Sequence, residues 1–410
     1  MQQTQVRRSS RDELVLRSMI QIKDTRLQST SALIERAIRT AEYYGFSSVE
    51  NALTRGRTPL PKEKTDMMLV ARKDERPLMQ SARMCLSVRK GPTEIPLLWR
   101  VVKNPSGVKS SAPSISLELH VLGAPAAIAE ALLIVVVNAI AEEAGIPKRT
   151  LHINSIGSVE SSNRFVRDVG HFLRKHIDSI APVLRPRAAT DPLGTLIQLF
   201  EKGHPAMARA PQSVEYLTEE ERRRFWDLLE YLEISGVPYE LSSGILGSRD
   251  FWAHTLFEIS TTDEETGSRV AFATGGRYDP LATKLTGAPS TAAVATITCE
   301  IRGKSTVPPI RKVIPALYFA HLGAEARRRT LPVLETLRRE GIAVEQSLMY
   351  ERLQEQMERA KATKVSHLLI MGHKEAMEGT VLVREVATNS QEAISVLELP
   401  GYLRRQKVRV

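Results

Sequence analysis

Thr274–Leu281 reads TGGRYDPL and follows directly on the apolar run Val270-Ala271-Phe272-Ala273. A strand that ends in Gly275-Gly276 can turn tightly, or approach a ligand closely, at little steric cost. The next three residues, Arg277, Tyr278 and Asp279, present a guanidinium, a phenol and a carboxylate. Two readings stand side by side: a polar turn closed by an Arg–Asp pair, or one wall of a binding pocket. The neighbourhood favours the pocket. Arg249–Ile259, RDFWAHTLFEI, is a second strand-like stretch, rich in aromatics.

Composition sets outer bounds. The chain has 410 residues, 42% apolar and 25% charged, which suits two or three globular domains with a sizeable core. The net charge of +10 is unevenly spread: residues 1–120 carry +9, residues 121–312 carry −2 and residues 313–410 carry +3. A basic front suits a polyanionic partner such as RNA; nothing points to DNA. Cys85 and Cys299 are the two cysteines, so neither a disulfide framework nor a zinc spacing is expected, and no metal site is assigned. The start, MQQTQVRRSSRDE, lacks the apolar core of a secretory signal. The longest apolar stretch, Ala126–Ala141, is interrupted by Glu130 and Asn138 and is too short for a bilayer. It reads as a buried helix; no membrane partner and a cytoplasmic location are expected.

Along the chain, residues 1–25 are polar and loose. Ser29–Tyr44 has helical spacing at Leu33, Ile34, Ala37, Ile38 and Ala41. Residues 66–90 read as strands. Residues 97–123 read as strand, turn at Asn104-Pro105-Ser106-Gly107, and strand, with Glu118 and His120 on an outward face. Glu215–Pro238 is an amphipathic helix with Thr218 and Glu221 as a capping box and Leu228, Leu229 and Leu232 as its core stripe. After the Gly/Ser/Pro linker Gly303–Pro309 the pattern alternates: strands at Val313–Ala320, Val344–Gln346, His367–Met371 and Gly379–Val386, helices at Glu325–Glu340 and Leu353–Ala362. Pro332 interrupts the first of those helices.

GSRDFWAHTLFE and GGRYDPL together resemble the two histidine-binding signatures of histidyl-tRNA synthetases, roughly RGLDYYTGTVFE and GGRYDGL. These are class II enzymes that charge tRNA with histidine. Thr150–Gly157, TLHINSIG, resembles the family's INSLG turn. Asp191-Pro192-Leu193 resembles its NPLR-type turn, with Gly194 for arginine. LLIMGHKEAMEGTVLVREV is similar to its anticodon-binding domain, so the resemblance spans the chain. It implies an α/β fold of the α+β type: an antiparallel class II core with helices over 1–302, a linker over 303–312, and a small α/β anticodon-binding-like domain over 313–410. A homodimer is implied too, although Phe46–Pro61, where motif 1 belongs, matches it loosely.

The resemblance also assigns sites. Arg249, Phe251, Trp252, Gly275, Gly276, Arg277, Tyr278 and Asp279 are candidates for the amino-acid pocket; Arg100, Lys109 and Arg302 for ATP; Lys364, Lys374 and Arg384 for RNA. Departures cluster on the chemistry. The first signature's arginine falls on Gly247, with Arg249 two places late, and its tyrosine pair is Phe251-Trp252. The LRPE-x-T segment is reduced to Arg76-Pro77 and Met79-Gln80-Ser81. Motif 2 keeps Arg100 but has Val102 for its acid and Ser110–Ser114 for its stacking group. Motif 3, expected as a helix opening in GxGxER, has Glu300 with Arg302 one place late. No catalytic residue is assigned. Activation of an amino acid needs positive charge held where the phosphorus becomes negative. The expectation is therefore a histidyl-tRNA synthetase-like protein, weak or inactive, that binds tRNA or a related RNA. ATP and Mg²⁺ enter only if it is a divergent active ligase. A third possibility is a regulatory subunit of ATP phosphoribosyltransferase, but such relatives typically lack the C-terminal domain.

Overall fold

The computed structural model describes residues 30–61, 76–89, 91, 94–104, 114–146, 148–262, 267, 269–300 and 315–406. The first body opens with α1 (Thr30–Tyr43), which buries Leu33, Ile34, Ala37, Ile38 and Ala41. The chain continues through β1 (Ser47–Ser48), α2 (Val49–Thr54), α3 (Arg76–Leu86), β2 (Leu97–Asn104), β3 (Ser114–Leu122) and α4 (Ile128–Glu143). Then come β4 (Arg149–Ser155), α5 (Val159–Lys175), α6 (Arg185–Thr190), α7 (Pro192–Glu201), α8 (Glu219–Ile234), β5 (Tyr239–Leu241), β6 (Ala253–Thr262), β7 (Arg269–Arg277), α9 (Asp279–Thr286) and β8 (Ala292–Glu300). The strands form one sheet in the order β1-β2-β3-β8-β7-β6-β4-β5, antiparallel except at its two edge pairs.

Period-two alternation divides that sheet into two unlike faces. Ile115, Leu117, Leu119 and Val121 of β3 and Ala293, Ala295 and Ile297 of β8 join the apolar core made with α1, α4 and α8. The intervening residues face the opposite way, where α3 and α9 pack. Helix α4 is largely apolar on every side and buried from Ile128 to Ala141 except at Asn138, as expected of a helix sandwiched between layers. Helix α8 starts with the anticipated capping box between Thr218 and Glu221, and Leu228 and Leu232 are buried. Among the described residues no helix is long and apolar enough to cross a membrane.

Three expectations are corrected. Residues 76–86 form a helix, not strands, because Leu78, Met79, Ala82, Cys85 and Leu86 recur at helical spacing and are the residues buried. Gly275-Gly276 do not turn: β7 runs through both to Arg277. A Cβ on Gly275 would lie 2.4 Å from the Val294 carbonyl oxygen, and one on Gly276 would lie 2.5 Å from that of Thr255. Close strand packing explains both glycines. Finally, residues 292–300 are a strand ending at Glu300, where a helix was expected.

The second body contains β9 (Leu317–His321), α10 (Ala324–Arg339), β10 (Val344–Gln346), α11 (Leu353–Thr363), β11 (His367–Met371), α12 (His373–Glu378), β12 (Thr380–Glu385), β13 (Gln391–Ser395) and α13 (Leu399–Arg405). Its sheet order is β10-β9-β11-β12-β13, parallel over the first three strands and antiparallel beyond. Helix α10 continues through Pro332. It also joins the two bodies: Tyr43 donates to the Leu334 carbonyl at 3.0 Å, Arg328 pairs with Asp227 at 2.6 Å, and Arg327 donates to the Tyr231 hydroxyl at 2.9 Å. Glu335 accepts from Tyr44, Arg338 and Arg339, and Arg338 also pairs with Glu143.

Candidate functional site

On the sheet face away from α4, the register aligns Arg100, Glu118, Thr296, Thr274, Glu258 and His152 in one row across six strands. His120, Val294 and Gly276 lie in the adjacent row. This is a polar floor on an otherwise ordinary antiparallel sheet. Glu118 and His120, read from sequence as an outward face, are on the expected side but are buried at 4% and 0% exposure. The helices α3 and α9 supply the cover.

Arg100 donates to the buried Ser81 hydroxyl at 2.6 Å. His120 Nδ1 lies 2.9 Å from the Tyr278 hydroxyl, and His120 Nε2 lies 3.6 Å from Glu118 Oε2. Burial alone would depress His120, but Cys85 and Glu118 beside it favour the imidazolium and push it up to about 10. Burial raises the Tyr278 phenol well above its ordinary value. Arg100 Nε, Glu118 Oε2 and His120 Nε2 have no hydrogen-bond partner among the described residues. Glu118 has Arg100 opposite it across the strand pair and His120 at 3.6 Å. No group of three or more His, Cys, Asp or Glu is placed to hold a metal among the described residues.

The GGRYD residues divide between two environments. Tyr278 belongs to the polar floor. Arg277 points the other way and is fully buried. Its Nε and Nη2 hold Glu130 at 2.9 and 2.6 Å, Nη1 reaches the Ala124 carbonyl at 3.0 Å and Asp279 at 3.3 Å, and Nη2 also reaches the Ala126 carbonyl at 3.3 Å. All five guanidinium donors are thus spent inside the fold. Arg224 binds the same Glu130 at 3.0 Å. Burial would raise Glu130, yet Arg277 and then Arg224 hold it down at about 2. Asp279 accepts the Ala292 amide at 2.7 Å and fixes the start of β8; burial raises it above the usual carboxylate value.

The first signature folds onto the same side as Tyr278. Phe251 is buried and Trp252 packs beside it, in one cluster with Tyr278 and Leu281. Gly247, where the resemblance puts the family's arginine, lies under the indole: a Cβ there would be 2.5 Å from a Trp252 ring carbon. Arg249 is exposed. His254 stands where the family pattern has a glycine, and its own backbone is left-handed, φ +53°. Burial, Arg224 and Arg277 depress its imidazole to about 4.

Of the ATP candidates, Arg100 is on the polar floor, while Lys109 and Arg302 lie outside the described residues. The RNA candidates do not converge. Arg384 sits opposite Leu368 near the start of β11 and is bonded to Gln391, and Lys364 precedes that strand. Lys374 follows the strand's other end, in α12. Sequence reading missed Glu130, Arg224, Cys85 and His254. Glu130 carried a usable signal, a lone acid inside an apolar helix that must find a cation.

Residues 318–406 match the family described as Anticodon binding domain. The chain is 26% identical over 294 residues to Histidine–tRNA ligase 1 of Shouchella clausii, covering 70% of this chain and 68% of that one. It is 27% identical over 265 residues to the histidine–tRNA ligase of Geobacillus thermodenitrificans, covering 63% and 62%. An apo S. aureus histidyl-tRNA synthetase structure is similar at TM-score 0.49 and 18% identity, covering 94% of this chain and 98% of that one. The histidine–tRNA ligase of a Cyanothece species is 30% identical over 299 residues, 71% of this chain and 68% of that protein; with that likeness, this chain belongs to the histidine–tRNA ligase family.

Proposed function

We propose that this family member binds tRNA or a related RNA and activates histidine weakly or not at all. The observation that carries the reading is the Trp252 indole over Gly247, which fills the space of the arginine that the resemblance expects. Losing one preorganised donor at developing charge costs about a hundred- to a thousandfold in rate. Arg277, with every donor committed to the fold, does not replace it. Tyr278 is likewise occupied, by His120. In this reading residues 1–302 are the synthetase-like core, 303–312 the linker and 313–410 the anticodon-binding-like domain. The protein acts in the cytoplasm as a homodimer. RNA is gripped by the basic excess of residues 1–120 and by the second body, with Lys364, Lys374 and Arg384 as separate contacts.

The test is histidine-dependent ATP–pyrophosphate exchange alongside filter binding of tRNA at several salt concentrations. Exchange at the level of a blank, with salt-sensitive tRNA binding, is expected. Robust exchange overturns the proposal. One observation favours a second reading, a divergent active ligase: three buried polar atoms on the floor, from Arg100, Glu118 and His120, lack partners that a polar ligand would provide. That reading requires Arg249, exposed here, to fold onto the floor when histidine and ATP bind.

A further inference from the structure

A cavity of about 240 Å³ lies between the two bodies, on the side of the large sheet opposite the polar floor. Its walls come from α4, β4, β6, the turn after α8, and α10. Leu151, Val237, Ile259 and Pro332 give it an apolar lining. Asn138, Arg149, Ser235 and Arg339 bring hydrogen-bond donors.

Glu142 and Glu335 also line it, and both are already engaged. Glu335 accepts from Tyr44, from Arg338 at 2.7 and 2.8 Å, and from Arg339 at 2.8 Å. Glu142 accepts from Arg339 at 2.9 Å and lies 3.6 Å from Arg149. The donors are in surplus. Ser235 Oγ is buried without a partner. Arg149 spends Nε on Asn138 and Nη1 on the Ile146 carbonyl, leaving Nη2 with the longer Glu142 contact alone. Arg339 uses Nε and Nη2; no hydrogen bond of its Nη1, or of the Asn138 amide nitrogen, is formed among the described residues. Burial depresses Arg149, opposed by Glu142 and helped by the like charge of Arg339. The desolvated Ser235 donor without an acceptor is costly, and the like charges of Arg149 and Arg339 repel each other.

We propose that this cavity is a binding site for a small organic anion, a carboxylate or similar head on a short apolar body. The head satisfies Arg149, Arg339, Ser235 and Asn138, and the body lies on Leu151, Ile259 and Pro332. Because Arg149 belongs to the first body and Arg339 to the second, the ligand clamps the two together. The site is independent of histidine activation and survives either outcome of the exchange assay.

Isothermal titration of the full chain with sodium benzoate tests it, with sodium phosphate (no apolar body) and benzyl alcohol (no charge) as controls. Saturable one-site binding is expected at a Kd of about 1 mM or tighter, with each control weaker by about tenfold or more. Ser235→Leu fills the cavity and Arg339→Gln removes a half-exposed donor; each is expected to weaken benzoate by about tenfold. Absence of saturation with the wild-type chain overturns the proposal. So does phosphate binding as tightly as benzoate, or unchanged benzoate affinity in well-folded Arg339→Gln.

Discussion

Replacing Arg277 by methionine separates a fold anchor from a ligand contact. The substitution keeps an unbranched apolar stem and deletes five hydrogen bonds: two to Glu130, one to each of two carbonyls, and one to Asp279. Glu130, at 0% exposure, is left with Arg224 alone. Breaking a buried ion pair from one side costs about 3–5 kcal/mol, which in a body of this size lowers the melting temperature on the order of 10 °C. The pH dependence gives a second measure. Glu130 sits at about 2 in the fold against an ordinary value of 4.5. Its folded value is depressed, so the stability is present above pH 4.5 and is lost as pH falls towards 2. At about 1.4 kcal/mol per pH unit, that gap is worth on the order of 3 kcal/mol. Thermal melts from pH 7 to pH 3 should show a steep acid loss in the wild-type chain and a shallower one in Arg277→Met. Glu130→Leu combined with Arg277→Met should recover a large part of the single-variant loss, since two buried charges go together. If Arg277→Met melts within a degree or two of wild type while losing affinity for a ligand, the reasoning is refuted.

Other expectations follow from the same geometry. Tyr278→Phe removes the partner of His120 Nδ1 and should destabilise by about 1–3 kcal/mol, measured by urea unfolding. Gly247→Arg should lower the melting temperature and leave ATP–pyrophosphate exchange at blank level, because Trp252 occupies the space; gain of exchange would contradict this. Thr218→Ala removes one half of the capping box of α8 and should cost about 0.5–2 kcal/mol in chemical denaturation. By NMR titration, His254 and His321 should stay neutral until about pH 4, both depressed chiefly by burial. Each then contributes stability above pH 6.5 that disappears as pH drops through the folded value.

What sequence made legible was local. The capping box of α8, the spacing of α1 and the strand His367–Met371 each depend on neighbours within a turn or two, and each forms as read. The family likeness rests on short stretches of the same local kind, GSRDFWAHTLFE and GGRYDPL above all. The misreadings have a common cause in distant neighbours. Gly275-Gly276 looked like a turn because the carbonyls of Val294 and Thr255, which exclude any side chain, come from other strands. Arg277 looked like a pocket residue because its acid, Glu130, is far away along the chain and appeared only as an interruption in an apolar run. The helix at residues 76–86 has its period in Leu78, Met79, Ala82 and Cys85, a signal that the longer stretch 66–90 dilutes. Glu118 and His120 had the correct alternation, but the covering helices that bury them could not be inferred from β3 alone.

The carboxylate of Glu335 deserves a mechanical reading. It is grasped by the Tyr44 phenol, in the turn just after the opening helix of one body, and by two guanidiniums of its own helix, one of which also holds Glu143. A swing between the bodies has to part the Tyr44–Glu335 and Arg338–Glu143 contacts, while the pairs that Glu335 makes within its own helix can stay closed. A nucleic acid lying across both bodies would have to break these same contacts in order to reorient one body against the other.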